Sequence, residues 1–145
     1  RQLTELLVPG DEAVTTLANA CASLNELLED VNWVGFYLLK DETLYLGPFQ
    51  GKPACTSIEA GKGVCGTAIL ENRTLCVDNV HRFSGHIACD GASNSEIVIV
   101  LHGERGRQLG VLDIDSPLFS RFSAEDEVFL VQAAEIISRA VAQKL

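Results

Sequence analysis

The sequence has little basic charge. Its 11 Lys and Arg stand against 20 Asp and Glu, for a formal net charge of −9. Nucleic acid and anionic membranes both call for a basic face, so neither is expected as a partner. No apolar run approaches the ~20 residues that span a bilayer. The opening residues Arg1-Gln2-Leu3-Thr4 carry no signal-peptide pattern, and a cytoplasmic location is expected. The 5 cysteines include no C-x-x-C pair. An odd count without paired spacing argues against a disulfide scaffold and a structural zinc, and for reduced thiols, some of them reactive. Neither a metal nor a bound cofactor is expected. Apolar residues make up 47% of 145 residues, enough for a single domain, 1–145, with one core.

Val14, Leu17, Cys21, Leu24 and Leu28 recur at three- and four-residue steps and predict a helix from Asp11, with Cys21 as a core residue. Residues 32–40 read as a strand. Trp33, Gly35, Tyr37 and Leu39 share one face; Val34, Phe36 and Leu38 share the other. A glycine between two aromatics predicts a recess flanked by rings. That recess is either sheet packing at a glycine bend or a wall for an apolar or cationic group. Residues 43–47 pair back as a hairpin, and residues 48–55 are irregular.

Gly61, Gly63 and Gly66 spell G-x-G-x-x-G. The dinucleotide reading fails, because residues 57–60 make a poor strand and only a short helix, to about Asn72, can follow. Cys65 would lie near the start of that helix, where the dipole favours a thiolate. Residues 73–80 form a short strand with Cys76 as packing, 97–101 a buried strand, and 109–115 another. Ser123 and Asp126 resemble a capping box that opens a last helix to about Gln143. Helices gathered beside mostly antiparallel strands make an α+β architecture.

The chemistry gathers in the stretch from Gly85 to Glu96, which holds His86, Cys89, Asp90 and Glu96 and abuts the buried run Ile97-Val98-Ile99-Val100-Leu101. Cys55 and Cys65 lie in Gly-rich segments upstream, and the three thiols read as one redox site with Cys89 as the attacking sulfur. His86, three residues before Cys89, is a weaker candidate for moving a proton. Alternation puts Asp113 and Asp115 on one face, roughly 7 Å apart. In a cleft the two repel, and one should hold a proton; together they can bind an ammonium and supply an acid. The plain alternative is a solvated strand end with turn chemistry at Asp115-Ser116-Pro117.

Several segments, from about Asn32 to Phe122, resemble the free methionine-(R)-sulfoxide reductases, a group of single GAF domains. They are Asn32-Trp33-Val34-Gly35-Phe36-Tyr37, Leu46-Gly47-Pro48-Phe49-Gln50-Gly51-Lys52, Gly63-Val64-Cys65-Gly66-Thr67-Ala68, Gly85-His86-Ile87-Ala88-Cys89-Asp90, Ala92-Ser93-Asn94-Ser95-Glu96 and Gly110-Val111-Leu112-Asp113-Ile114-Asp115-Ser116-Pro117. The resemblance implies a six-stranded antiparallel sheet, with N- and C-terminal helices on one face and a ligand pocket on the other. It implies reduction of the free R sulfoxide to methionine, with thioredoxin as external reductant. Cys89 matches the nucleophile, and Cys55 and Cys65 match the thiols that form or relay the disulfide. Which of these two resolves first stays open. Glu96, Asp113 and Asp115 match the carboxylates that hold the ammonium and assist at the sulfoxide oxygen; Trp33 and Tyr37 match the aromatic wall. A homodimer through the helices fits this frame. The competing expectation is a GAF module that senses a small molecule or redox state without turnover.

Overall fold

Alternating apolar residues in Trp33-Val34-Gly35-Phe36-Tyr37 and Val111-Leu112-Asp113-Ile114-Asp115 build the middle of the sheet, and each strand buries both faces. The computed structural model describes residues 10–85 and 91–145. Their elements are α1 (Ala13–Leu27), β1 (Trp33–Lys40), β2 (Thr43–Gly51), β3 (Ser57–Glu59), α2 (Gly63–Glu71), β4 (Leu75–Val77), β5 (Ser95–His102), β6 (Gln108–Ser116) and α3 (Ala124–Val141). The strands form one sheet in the order β3-β2-β1-β6-β5-β4, and every pairing is antiparallel. The α+β architecture and the six antiparallel strands are as the sequence predicts.

Two apolar clusters sandwich the sheet. On one side Val34, Phe36, Ile97, Ile99, Leu112 and Ile114 pack against Leu17, Cys21 and Leu24 of α1 and Leu130 and Ile137 of α3. On the other, Trp33, Tyr37, Val98, Val100 and Val111 pack beneath Val64, Cys65, Ala68 and Ile69 of α2. The terminal helices therefore share one face, and α2 packs on the other. Among the described residues, no helix is long and apolar enough to cross a membrane.

Helix α3 begins with a reciprocal cap. Ser123 Oγ accepts from the Asp126 N–H at 3.1 Å, and Asp126 Oδ2 accepts from the Ser123 N–H at 2.9 Å. Those bonds hold the Asp126 carboxyl below its ordinary range, with further help from Arg121. Ser123→Ala is expected to lower unfolding free energy by about 1 kcal/mol, read by urea denaturation. Because the Asp126 value is depressed on folding, its contribution is present at neutral pH and lost as pH falls through the depressed value.

Three local readings are corrected. Residues 57–60 lack strand alternation, yet β3 forms, with Ile58 buried at the sheet edge opposite Leu44. β2 runs to Gly51, beyond the expected end at Gly47, because a bulge absorbs Pro48. Gly35 pairs with Phe49 and Tyr37 with Leu46, so two residues face Phe36 and Pro48 owes no ladder donor. β4 is only three residues long, and Cys76 on it is exposed rather than packed; its thiol donates to the Phe122 carbonyl at 3.5 Å. The G-x-G-x-x-G glycines serve close packing: a Cβ on Gly66 would stand 2.4 Å from the Glu59 carbonyl oxygen.

Cys21 is the core residue the helix pattern predicts. It is fully buried, its thiol donates to the Pro48 carbonyl at 3.2 Å, and burial pushes its pKa up to about 12. Cys21→Ala is expected to leave turnover unchanged and to cost on the order of 1 kcal/mol of stability, seen as a lower urea midpoint.

Candidate active site

Sheet register brings together residues that lie far apart in the chain. Glu96 on β5 pairs with Asp115 on β6, and Asp115 pairs in turn with Trp33 on β1. One step along, Val98 pairs with Asp113, and Asp113 with Gly35. Because side chains alternate, Glu96, Asp113, Asp115, Trp33 and Tyr37 all leave the sheet on the α2 side. The first turn of α2 then places Cys65 over them.

The result is a buried acidic cluster. Glu96, Asp113 and Cys65 are 8%, 5% and 4% exposed. The Cys65 thiol lies 4.0 Å from Glu96 Oε2, and ligating atoms of Cys65, Glu96 and Asp113 fall within 4.8 Å of one another. Burial drives Glu96 well above the usual carboxylate range. The charges of Asp113 and Asp115 add to this, as do hydrogen bonds to both. These forces favour the protonated form of Glu96. The same forces act on Cys65: burial first, then Asp113, Glu96 and Asp115, raise its thiol well above the ordinary value. The helix dipole was expected to favour a Cys65 thiolate, and here it loses. A dipole end contributes ~0.3–1 kcal/mol, less than desolvation and neighbouring carboxylates impose.

Among the described residues, Cys65, Glu96 and Asp113 are close enough to share a cation. A metal would need the Cys65 thiolate that this surrounding disfavours. An ammonium needs only carboxylate acceptors and N–H directions, so the cluster suits an organic cation better.

The aromatic wall lies beside the acids. The Trp33 ring stacks on Phe49 with centroids 5.3 Å apart and an interplanar angle of 16°, and on Tyr37 at 5.9 Å and 24°. Trp33 Nε1 donates to the Lys52 carbonyl at 3.0 Å, and the Tyr37 hydroxyl donates to the Cys55 carbonyl at 2.9 Å. Burial and the nearby acids keep that hydroxyl protonated. The expected recess at Gly35 is filled, because the Trp33 ring itself lies over the glycine. Phe49, the third ring of the stack, was missed by sequence reading. Its signal was its place in a Gly- and Pro-flanked run that looked irregular but pairs with Gly35.

Trp33, Tyr37, Cys65, Glu96, Asp113 and Asp115 thus converge. Cys55 lies at the edge of this group through its backbone and is half-buried and disulfide-bonded, whereas Cys21, Cys65 and Cys76 are free. Cys89 and His86 fall outside the described residues.

Residues 12–141 match the GAF domain family. The "Free methionine-R-sulfoxide reductase" of Escherichia coli strain K12 is 51% identical over 142 residues, covering 98% of this chain and 86% of the relative. The chain belongs to the free methionine-(R)-sulfoxide reductase family of GAF domains. Solved members superpose closely on this family fold. The reduced form of fRMsr of Staphylococcus aureus gives a TM-score of 0.93 at 48% identity, covering 97% of this chain and 91% of that one. The Neisseria meningitidis free methionine-R-sulfoxide reductase, in complex with its substrate, also gives 0.93, at 39% identity over 99% of this chain and 86% of that one.

Proposed function

We propose that the protein reduces free L-methionine-(R)-S-oxide to L-methionine, using its own thiols as the two-electron donor. The observation that carries this reading is the buried Glu96–Asp113–Cys65 cluster abutting the Trp33–Tyr37–Phe49 stack, in a chain of this family. Asp113 and Asp115 hold the substrate's ammonium, and the indole face receives the methyl-sulfoxide end. Cys89 attacks the sulfoxide sulfur while Glu96 delivers a proton to the oxygen, whose bond to sulfur breaks. A second thiol then closes a disulfide on Cys89, and the balance is one thioether, one water and one disulfide from one sulfoxide and two thiols.

Cys55 is assigned as that second thiol. Support comes from its disulfide-bonded state and from the raised value of Cys65, which makes Cys65 a poor attacking sulfur near neutral pH. Cys65 then acts as a relay or as part of the site's wall. Thioredoxin reopens the disulfide, and no bound cofactor takes part. A homodimer belongs to this reading; exposed Val14 on α1 and Val128 and Phe129 on α3 support it.

A free amino acid is the preferred substrate on energetic grounds. A peptide amide in place of the ammonium would leave the buried carboxylates without a cation. The reading is tested by supplying thioredoxin, its reductase and NADPH with free R sulfoxide, free S sulfoxide and N-acetylated R sulfoxide. NADPH consumption with the free R epimer alone is expected. Equal use of the acetylated compound would remove the ammonium assignment. No consumption with any of the three, in protein with titratable thiols, would move the assignment to a non-catalytic sensor.

A further inference from the structure

We propose that Gly35 and Gly51 are specificity-determining positioning residues: they seat the Trp33 indole low on the sheet, and its height sets which S-alkyl group the site admits. The proposal rests on the reductase reading and adds a size filter to it.

A strand side chain ordinarily stands up from the sheet. Trp33 instead lies along it, with Cη2 and Cζ3 over Gly35 and Cδ1 and Cγ over Gly51. Both positions require hydrogen in place of a side chain. A Cβ on Gly35 would stand 2.4 Å from Trp33 Cη2, 2.6 Å from Cζ3 and 2.5 Å from Phe49 Cβ. A Cβ on Gly51 would stand 2.6 Å from Trp33 Cδ1, and Gly51 also has φ +137°, which disfavours any side chain there. The ring has no easy escape sideways. Its Nε1 is tied to the Lys52 carbonyl, and Phe49 and Tyr37 flank it at small interplanar angles.

The two glycines occupy register positions next to the chemistry. Gly35 pairs with Asp113, and Trp33 pairs with both Gly51 and Asp115. The glycine seat and the acids are therefore neighbours on one sheet face. An alkyl group lying over the indole, on a substrate whose ammonium is held by the acids, has its room fixed by the ring's height. Ordinary contact begins at 3.4 Å, and a methyl at position 35 would stand 2.4 Å from the ring and 2.5 Å from Phe49 Cβ, so it pushes the ring outward by up to about 1 Å while also pressing on β2. That is the scale of one methylene, a difference that enzyme pockets read as roughly 10- to 200-fold.

The test compares kcat/KM for free methionine-(R)-sulfoxide and its S-ethyl analogue in the full chain, wild type against Gly35→Ala and Trp33→Phe. Gly35→Ala is expected to lower the ethyl-to-methyl ratio by about tenfold or more. It should also shift the emission of Trp33, the protein's 1 tryptophan. Trp33→Phe, a smaller ring on the same seat, is expected to raise the ratio about threefold or more. Pairing the two substitutions should bring the ratio back towards the wild-type value. A merely structural role would lower both substrates together and leave the ratio unmoved. If Gly35→Ala does not fold, Trp33→Phe decides alone, and an unchanged ratio there overturns the size filter. An active wild type whose ratio is unchanged by either substitution overturns the proposal and leaves the reductase reading standing. A wild type that turns over neither sulfoxide overturns both.

Discussion

Cys89→Ser lowers turnover of free methionine-(R)-sulfoxide by at least about a thousandfold, while thermal unfolding stays close to that of the reduced wild type. A serine hydroxyl is a far weaker nucleophile than a thiolate towards sulfur and cannot give up electrons by closing a disulfide, so the whole chemical step is lost. The substitution exchanges one small side chain for another in a Gly- and Ser-rich segment, which is why stability is expected to hold. Cys65→Ser provides the contrast. Its thiol is buried among carboxylates and held protonated, so its loss should slow turnover far less than the loss of Cys89. Steady-state rates with dithiothreitol as reductant, which bypasses any thioredoxin relay, make that comparison. Equal loss in the two variants would return Cys65 to the role of attacking sulfur.

Glu96→Gln lowers kcat by roughly 10²- to 10⁴-fold and flattens the alkaline limb of the pH–rate profile. Glu96 is held above the usual carboxylate range first by burial, then by the charges of Asp113 and Asp115. In the wild type its proton is therefore available at and above the pH where an ordinary carboxyl has lost it, and kcat falls as pH rises through the raised value. Glutamine fills the same space but transfers no proton. Stability gives an independent readout of the same group. The folded chain keeps the Glu96 proton at pH values where the unfolded chain, with a value near 4.5, has released it. Unfolding free energy therefore falls as pH rises above that value, up to the raised one. Glu96→Gln removes this slope. A variant that keeps both the wild-type alkaline limb and the wild-type stability slope would exclude Glu96 as proton carrier.

Much of the fold was legible because its signals are local. The three- and four-residue spacing from Val14 to Leu28 marked α1, and alternation in Val111-Leu112-Asp113-Ile114-Asp115 placed two acids on one face and two core residues on the other. The match of spaced motifs identified the family. Local pattern failed where a neighbour decides the outcome. β3 exists because Thr43, Leu44 and Tyr45 offer it an edge, and Pro48 is tolerated because a bulge opposite Phe36 excuses its missing donor. Cys65 was misread for the same reason. Its helix position is visible in sequence, but Glu96 and Asp113 reach it only through the β5–β6 register. The sequence pointed to a shifted Asp; that burial and register also raise Glu96 was not legible in it. Phe49 went unseen because its partner, Gly35, has no side chain to signal the contact.

The most direct test of thiol-driven reduction is a single turnover without external reductant. Fully reduced protein is mixed with excess free methionine-(R)-sulfoxide, quenched, and assayed for methionine and for free thiols, with disulfides mapped by mass spectrometry. The account predicts one methionine per chain, the loss of two thiols, and a disulfide joining Cys55 to Cys89. No methionine with every thiol still titratable, or methionine formed with no loss of thiols, would contradict it.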